Sequence, residues 1–105
     1  MADQMHLTTR TDNRGGSPLY AAAHQGHLGV VQWLADHGCS VNQPDNNKCT
    51  PLYNAALMGH LLVVQWLAGN GGSVTQPAND GTTPLHVARL KGQAVVVQWL
   101  TGNGG

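Results

Sequence analysis

The three tryptophans of this 105-residue chain are separated by equal steps of 33 residues. The same step relates several prolines and leucines, namely Pro18, Pro51, Pro84, Leu19, Leu52 and Leu85. Segment 17–49 agrees with segment 50–82 at 20 of 33 positions, and a third, shorter copy runs over 83–105. A fixed period of this length is typical of supersecondary units that stack in a line and share a continuous core.

Each unit opens with the signals of a short helix. Thr50 offers a hydroxyl to an unpaired backbone N–H, and Pro51 has the fixed φ that suits the first helical position. Ser17-Pro18 and Thr83-Pro84 repeat this arrangement. Three glycines in register, whose backbone can turn sharply, are predicted to end these helices: Gly26, Gly59 and Gly92.

A second helix is predicted over about 27–36, where Leu28, Val31 and Leu34 have helical spacing, and Gly38 ends it. The following segment 41–47 is rich in Asn and Asp, which favour a hairpin turn. Each unit therefore reads as helix, tight turn, helix and hairpin. Neither helix can bury its apolar face alone, so the units are expected to stack.

Several motifs in register make the chain resemble the ankyrin repeat family. They are Thr83-Pro84-Leu85-His86, its variants Thr50-Pro51-Leu52-Tyr53 and Ser17-Pro18-Leu19-Tyr20, and the Ala-Ala-x-x-Gly-His element at 22–27 and 55–60. The resemblance covers residues 8–105 and implies an all-α repeat, an α-solenoid of stacked helix-turn-helix ankyrin units with hairpin loops. It divides the chain into an N-terminal segment with a partial hairpin at 1–16, repeats at 17–49 and 50–82, and a truncated repeat at 83–105.

The third unit departs from the family pattern. Arg89 stands where the earlier units have a small alanine, and Gln93 stands where they have histidine. Its second helix is apolar although a terminal unit needs a polar outer face. We therefore expect a fragment of a longer array, or an engineered excerpt, with open ends that self-associate.

The resemblance implies a protein–protein interaction scaffold that binds through hairpin tips and the concave face of the first helices. The variable family positions map onto a set of candidate partner-binding residues: Asn13, Arg14, His24, Gln25, Asn46, Asn47, Leu57, Met58, Asn79, Asp80, Leu90 and Lys91. Leu57, Met58 and Leu90 are expected to be exposed apolar groups that form a binding hot spot. Two alternatives stay open: these positions are merely solvated, or the chain is a structural spacer or repeat-stability model without a ligand.

Other function classes receive little support from composition. Net charge is +0 and only 10% of residues are charged, so no basic stripe exists for nucleic acid. No apolar run reaches the ~20 residues of a membrane span. The five acids are scattered aspartates, which gives no sign of an enzyme. His24 and His27 are separated by a glycine turn and lack a second ligand pair, so neither a metal nor another cofactor is expected.

Three further expectations concern single features. The tryptophan series favours packing between repeats over an aromatic ladder for ligands. The resemblance implies a candidate hydroxylation site at Asn42, with Leu34 eight residues before it, although Ser40 replaces the usual acid. The N-terminal residues resemble no secretory signal, and two cysteines make no disulfide framework, so we expect a cytoplasmic or nuclear protein.

Overall fold

The computed structural model describes residues 15–105, and this part of the chain folds into six α-helices in three antiparallel pairs. One pair lies in each of the segments 17–49, 50–82 and 83–105. The helices are α1 (Pro18–Gln25), α2 (Leu28–Asp36), α3 (Pro51–Met58), α4 (Leu61–Gly69), α5 (Pro84–Leu90) and α6 (Ala94–Gly102). The prediction of an all-α stacked repeat is confirmed.

The first helix of every unit begins at the predicted hydroxyl cap. Ser17 Oγ accepts the backbone N–H of Tyr20 at 3.1 Å, and Thr50 Oγ1 accepts that of Tyr53 at the same distance. Thr83 makes the equivalent bond to His86, whose ring Nδ1 faces the Thr83 N–H in return. Such caps contribute about 1 kcal/mol each to helix stability.

The tight turns also follow the sequence. Gly26 and Gly59 have φ of 77° and 79°, which a side chain would disfavour. The second helices begin one residue later than expected, because His27 and His60 form the turn and act as N-caps without helical dihedrals.

The first helices α1, α3 and α5 pack side by side as one layer, and the second helices form the other. Small alanines allow the close approach, since Ala23, Ala55 and Ala56 are fully buried. Leucines and valines from both layers form one continuous core. Replacing a buried leucine such as Leu52 by alanine is expected to cost about 2–5 kcal/mol.

Hairpin-like loops join the units, although the described residues contain no β-strand. Asp45 N donates to Cys49 O at 2.9 Å, and Ala78 N donates to Thr82 O at the same distance. The loops also touch each other, because Asn79 N donates to Asn47 O at 2.9 Å. This bond holds neighbouring tips at a fixed distance.

Candidate functional site

A buried polar network joins the first unit to the second, at the base of the hairpin. The Tyr20 hydroxyl donates to Asp45 Oδ2 at 2.7 Å and accepts from Asn54 Nδ2 at 2.7 Å. Asn54 Oδ1 lies 2.7 Å from His24 Nδ1, so that nitrogen must carry the proton. The other oxygen of Asp45 accepts the backbone N–H groups of Asn47 and Cys49 at 2.8 and 2.9 Å. These bonds fix the shape of the hairpin relative to α1.

The junction between the second and third units is less polar. Ala78 and Val87 occupy the positions equivalent to Asp45 and Asn54. The Tyr53 hydroxyl instead meets Thr82 Oγ1 at 2.7 Å. The two junctions therefore have different side chains and hydrogen bonds, although the helices and loops around them are equivalent.

A second recurring bond ties each turn to the preceding unit. His60 Nε2 lies 3.0 Å from the carbonyl oxygen of His24, and Gln93 Nε2 donates to the carbonyl oxygen of Leu57 at 2.9 Å. Gln93 thus takes over the role of the histidine that it replaces. These bonds tie each turn to the first helix of the unit before it.

The candidate hairpin residues form an exposed rim. Asn46, Asn47, Asn79 and Asp80 are all exposed. Asp80 Oδ1 accepts from both the backbone N–H and the hydroxyl of Thr82, and these bonds lower the pKa of Asp80. The rim therefore presents amides, with one carboxylate that stays ionised.

The three candidate apolar residues differ in exposure. Met58 is 41% exposed and Leu90 is 75% exposed, as expected of a contact surface. Leu57 is only partly exposed, which corrects the expectation, because its side chain packs against the core beside the third unit.

The polar candidates on the first helices also separate into two groups. Gln25 and Lys91 are exposed. His24 is partly buried and is held by Asn54, so it belongs to the junction and not to a freely accessible rim. Asn13 and Arg14 lie outside the described residues.

The tryptophans lie on the second helices. Trp66 and Trp99 are partly buried and pack against the core, which agrees with the packing interpretation. Trp33 is 42% exposed and stacks on His37, with ring centroids 3.8 Å apart. This stacking joins a tryptophan to its neighbour one helical turn on, and not to the next tryptophan of the series.

The two cysteines are free thiols in an environment that opposes ionisation. Burial raises the pKa of Cys39. Burial, with help from the charges of Asp45 and Asp80, raises the pKa of Cys49 to about 11. A reactive cysteine needs a lowered pKa, so neither thiol resembles a nucleophile. Among residues 15–105 no group of three or more potential metal ligands comes together.

Two family models cover nearly the whole chain. The model described as ankyrin repeats in three copies matches residues 2–78, and the model of an ankyrin repeat matches residues 80–105. The chain belongs to the ankyrin repeat family. No curated protein matches it. Ankyrin repeats are general protein–protein interaction modules, and proteins built from them are typically non-enzymatic scaffolds.

Asn42 lies at the exit from the first ankyrin unit and is exposed. Its side-chain amide bridges to the second unit: Nδ2 donates to Gly71 O at 2.7 Å, and Oδ1 accepts from Ser73 N at 3.1 Å. The side chain thus has a structural role, and its hydroxylation stays a prediction.

The outer face of the third ankyrin unit is open. Leu85 and Val97 are partly exposed, although the equivalent Leu52 and Val64 are fully buried under the third unit. Arg89 is exposed at the position where Ala56 is completely covered. A charged side chain therefore stands within an otherwise apolar end face.

None of the helices in residues 15–105 has the length and apolarity of a membrane-spanning segment.

Proposed function

We propose that this ankyrin stack binds another protein through its hairpin tips and the C-terminal ends of its first helices. The observation that carries the proposal is the exposure of Met58 and Leu90 at the ends of α3 and α5. Leu90 also lines a shallow pocket of about 430 Å³ with Thr82, His86 and Arg89, which connects the helix end to the second hairpin. We call Gln25, Asn46, Asn47, Met58, Asn79, Asp80, Leu90 and Lys91 the tip surface.

The composition of the tip surface suits a protein partner. Burying a methionine or leucine side chain contributes roughly 1.5–3 kcal/mol, whereas exposed polar groups mainly exclude water around such anchors. The amide-rich rim can pair with backbone groups of a partner. With one exposed acid and one exposed lysine, the surface has little charge for long-range attraction. Nucleic acid and membranes are therefore poor partners for it.

The compartment is part of the proposal. A cytoplasmic or nuclear location fits the free thiols of Cys39 and Cys49, since reduced cysteines are usual inside cells. Fractionation of cells expressing the tagged chain, with antibodies to cytosolic and nuclear markers, measures this directly. Recovery in the secreted fraction would contradict it.

The experiment is site-specific photocrosslinking in cells. A photoreactive amino acid replaces Met58 in one variant, Leu90 in a second and Leu62 in a matched control. Leu62 is 66% exposed but lies on α4, in the other helix layer. The expected result is a discrete adduct from position 58 and none from position 62, with the partner identified by mass spectrometry.

Two outcomes would contradict the proposal. Equal adducts from positions 58 and 62 would indicate non-specific binding by exposed apolar side chains. No adduct from position 58, together with none from position 90, would favour a structural spacer without a ligand.

A further inference from the structure

Lys48 has a backbone conformation that lysine rarely adopts. Its φ is +63°, and it is the only residue other than glycine with positive φ within residues 15–105. The equivalent positions are Gly15 in the N-terminal segment and Gly81 in the second unit, with φ of 79° and 85°. The turn therefore suits glycine, and a side chain there is strained because its Cβ crowds the backbone. Strain of this kind is concentrated at functional positions in proteins.

The lysine lines a groove between the first and second hairpin loops. The groove measures about 480 Å³, and its other lining residues are Asn42, Pro44, Thr50, Ser73 and Gln76. Lys48 is exposed and forms no ion pair within the part of the chain that the structure describes. Its positive charge is thus available to a ligand.

The two walls of this groove are held in place. The Asn42 amide bonds to both Gly71 and Ser73, which joins one wall to the other. Ser73 Oγ accepts the backbone N–H groups of Thr75 and Gln76 at 3.3 and 3.1 Å. Its hydroxyl also lies 3.5 Å from Thr75 Oγ1, so Ser73 shapes this wall and is not counted as a donor to a ligand. The groove therefore combines one cation, Lys48, with the exposed side-chain amide of Gln76 on a fixed frame.

We propose that Lys48 and this groove bind a carboxylate side chain of the protein partner. The inference rests on the proposed protein-binding function and names one chemical feature of the partner. A carboxylate fits because Lys48 supplies a positive charge and the Gln76 amide supplies a hydrogen-bond donor.

Hexaglutamate with blocked ends serves as the probe, in an NMR titration of the folded chain at low salt. The matched neutral probe is blocked hexaglutamine. Hexaglutamate is expected to shift the amide resonances of Lys48, Ser73 and Gln76 in a saturable way. The shifts should weaken as salt is added.

Two neutral variants separate charge from backbone effects. Lys48→Asn and Lys48→Gly both suit positive φ, and each should weaken hexaglutamate binding at least fivefold. Lys48→Gly should also raise the midpoint of thermal unfolding, since it relieves the strain.

Two results would overturn the proposal: equal affinity in Lys48→Asn and the unsubstituted chain, or equal shifts with hexaglutamine. Each of these results is independent of crosslinking at Met58. Carboxylate binding in the groove can therefore be contradicted while partner binding by the tip surface is still supported. A third outcome is that crosslinking fails while hexaglutamate still binds at Lys48. The groove would then be an anion site that is not part of the proposed partner surface, and this outcome would also contradict the inference.

Discussion

The hydroxyl of Tyr20 donates a 2.7 Å hydrogen bond to the carboxylate of Asp45, which lies 25 residues later in the next loop. Both residues are buried, and Asn54 adds a second bond to the same hydroxyl. At the following junction the Tyr53 hydroxyl meets that of Thr82, which donates to the carboxylate of Asp80. The first junction thus has a buried polar network, whereas the bonds at the second lead to an exposed carboxylate.

Tyr20→Phe should therefore destabilise the fold more than Tyr53→Phe. The first change leaves Asp45 Oδ2 and Asn54 Nδ2 without their shared partner in a buried site, which is expected to cost about 1–3 kcal/mol. The second change should cost about 1 kcal/mol or less, because Thr82 is partly exposed and can turn to water. Urea unfolding followed by circular dichroism measures both. Equal losses would show that the network adds nothing to stability.

The bond from Gln93 to the carbonyl of Leu57 should be replaceable by histidine. Since His60 makes the equivalent bond to His24, Gln93→His is expected to change the free energy of unfolding by less than about 0.5 kcal/mol. Gln93→Ala should cost about 1 kcal/mol, because it loses the bond and leaves the carbonyl unpaired. If alanine and histidine behave alike in thermal unfolding, the bond does not hold the third unit in place.

The thiol of Cys49 should make stability fall in alkaline solution. Its pKa is raised to about 11 in the folded chain from an ordinary value of 9.0, so the unfolded chain releases this proton first. The stabilisation is complete below pH 9 and is lost as pH rises towards 11. The measurement is the thermal midpoint between pH 8 and 10.5, with Cys49→Ser as the control. Cys49→Ser should lose less thermal stability between pH 8 and 10.5 than the unsubstituted chain does. An equal loss in both would contradict the raised pKa of Cys49.

Arg89 is expected to limit self-association of the open end. Arg89→Ala makes the end face resemble that of the second unit, where Ala56 is fully covered by its neighbour. A second copy can then stack head to tail, using Val30, which is 50% exposed although its equivalents Val63 and Val96 are 1% exposed. Sedimentation should show concentration-dependent oligomers for Arg89→Ala, and none after Val30→Asp is added. If Arg89→Ala sediments in the same way as the unsubstituted chain, Arg89 does not limit self-association.

Much of the fold could be predicted from the sequence because its signals are local. Thr50 and Pro51 begin a helix and Gly59 turns the chain within ten residues, and the 33-residue period repeats these signals. Alignment at the 33-residue period also pointed to Lys48, since Gly15 and Gly81 occupy the same column. Finding it requires a comparison of the turn residues of the repeats as well as their surface residues.

The junctions could not be predicted in the same way. The bond between Asn54 and Tyr20 spans 34 residues and depends on how two units meet. His24 was expected at the partner surface and instead takes part in this network. Leu57 was expected to be exposed, but its side chain packs against the core that the units form together, which the sequence of its own helix does not show.

The most direct test of the proposed binding function is the affinity of the crosslinked partner, purified and titrated against two double variants. Met58→Ala/Leu90→Ala removes the apolar anchors of the tip surface, and Leu62→Ala/Val95→Ala removes two exposed apolar side chains from the second helices. We predict that the first raises the dissociation constant at least tenfold and that the second changes it less than twofold, with both variants folded by circular dichroism. A tenfold loss in the second variant, or none in the first, would contradict binding through the tip surface.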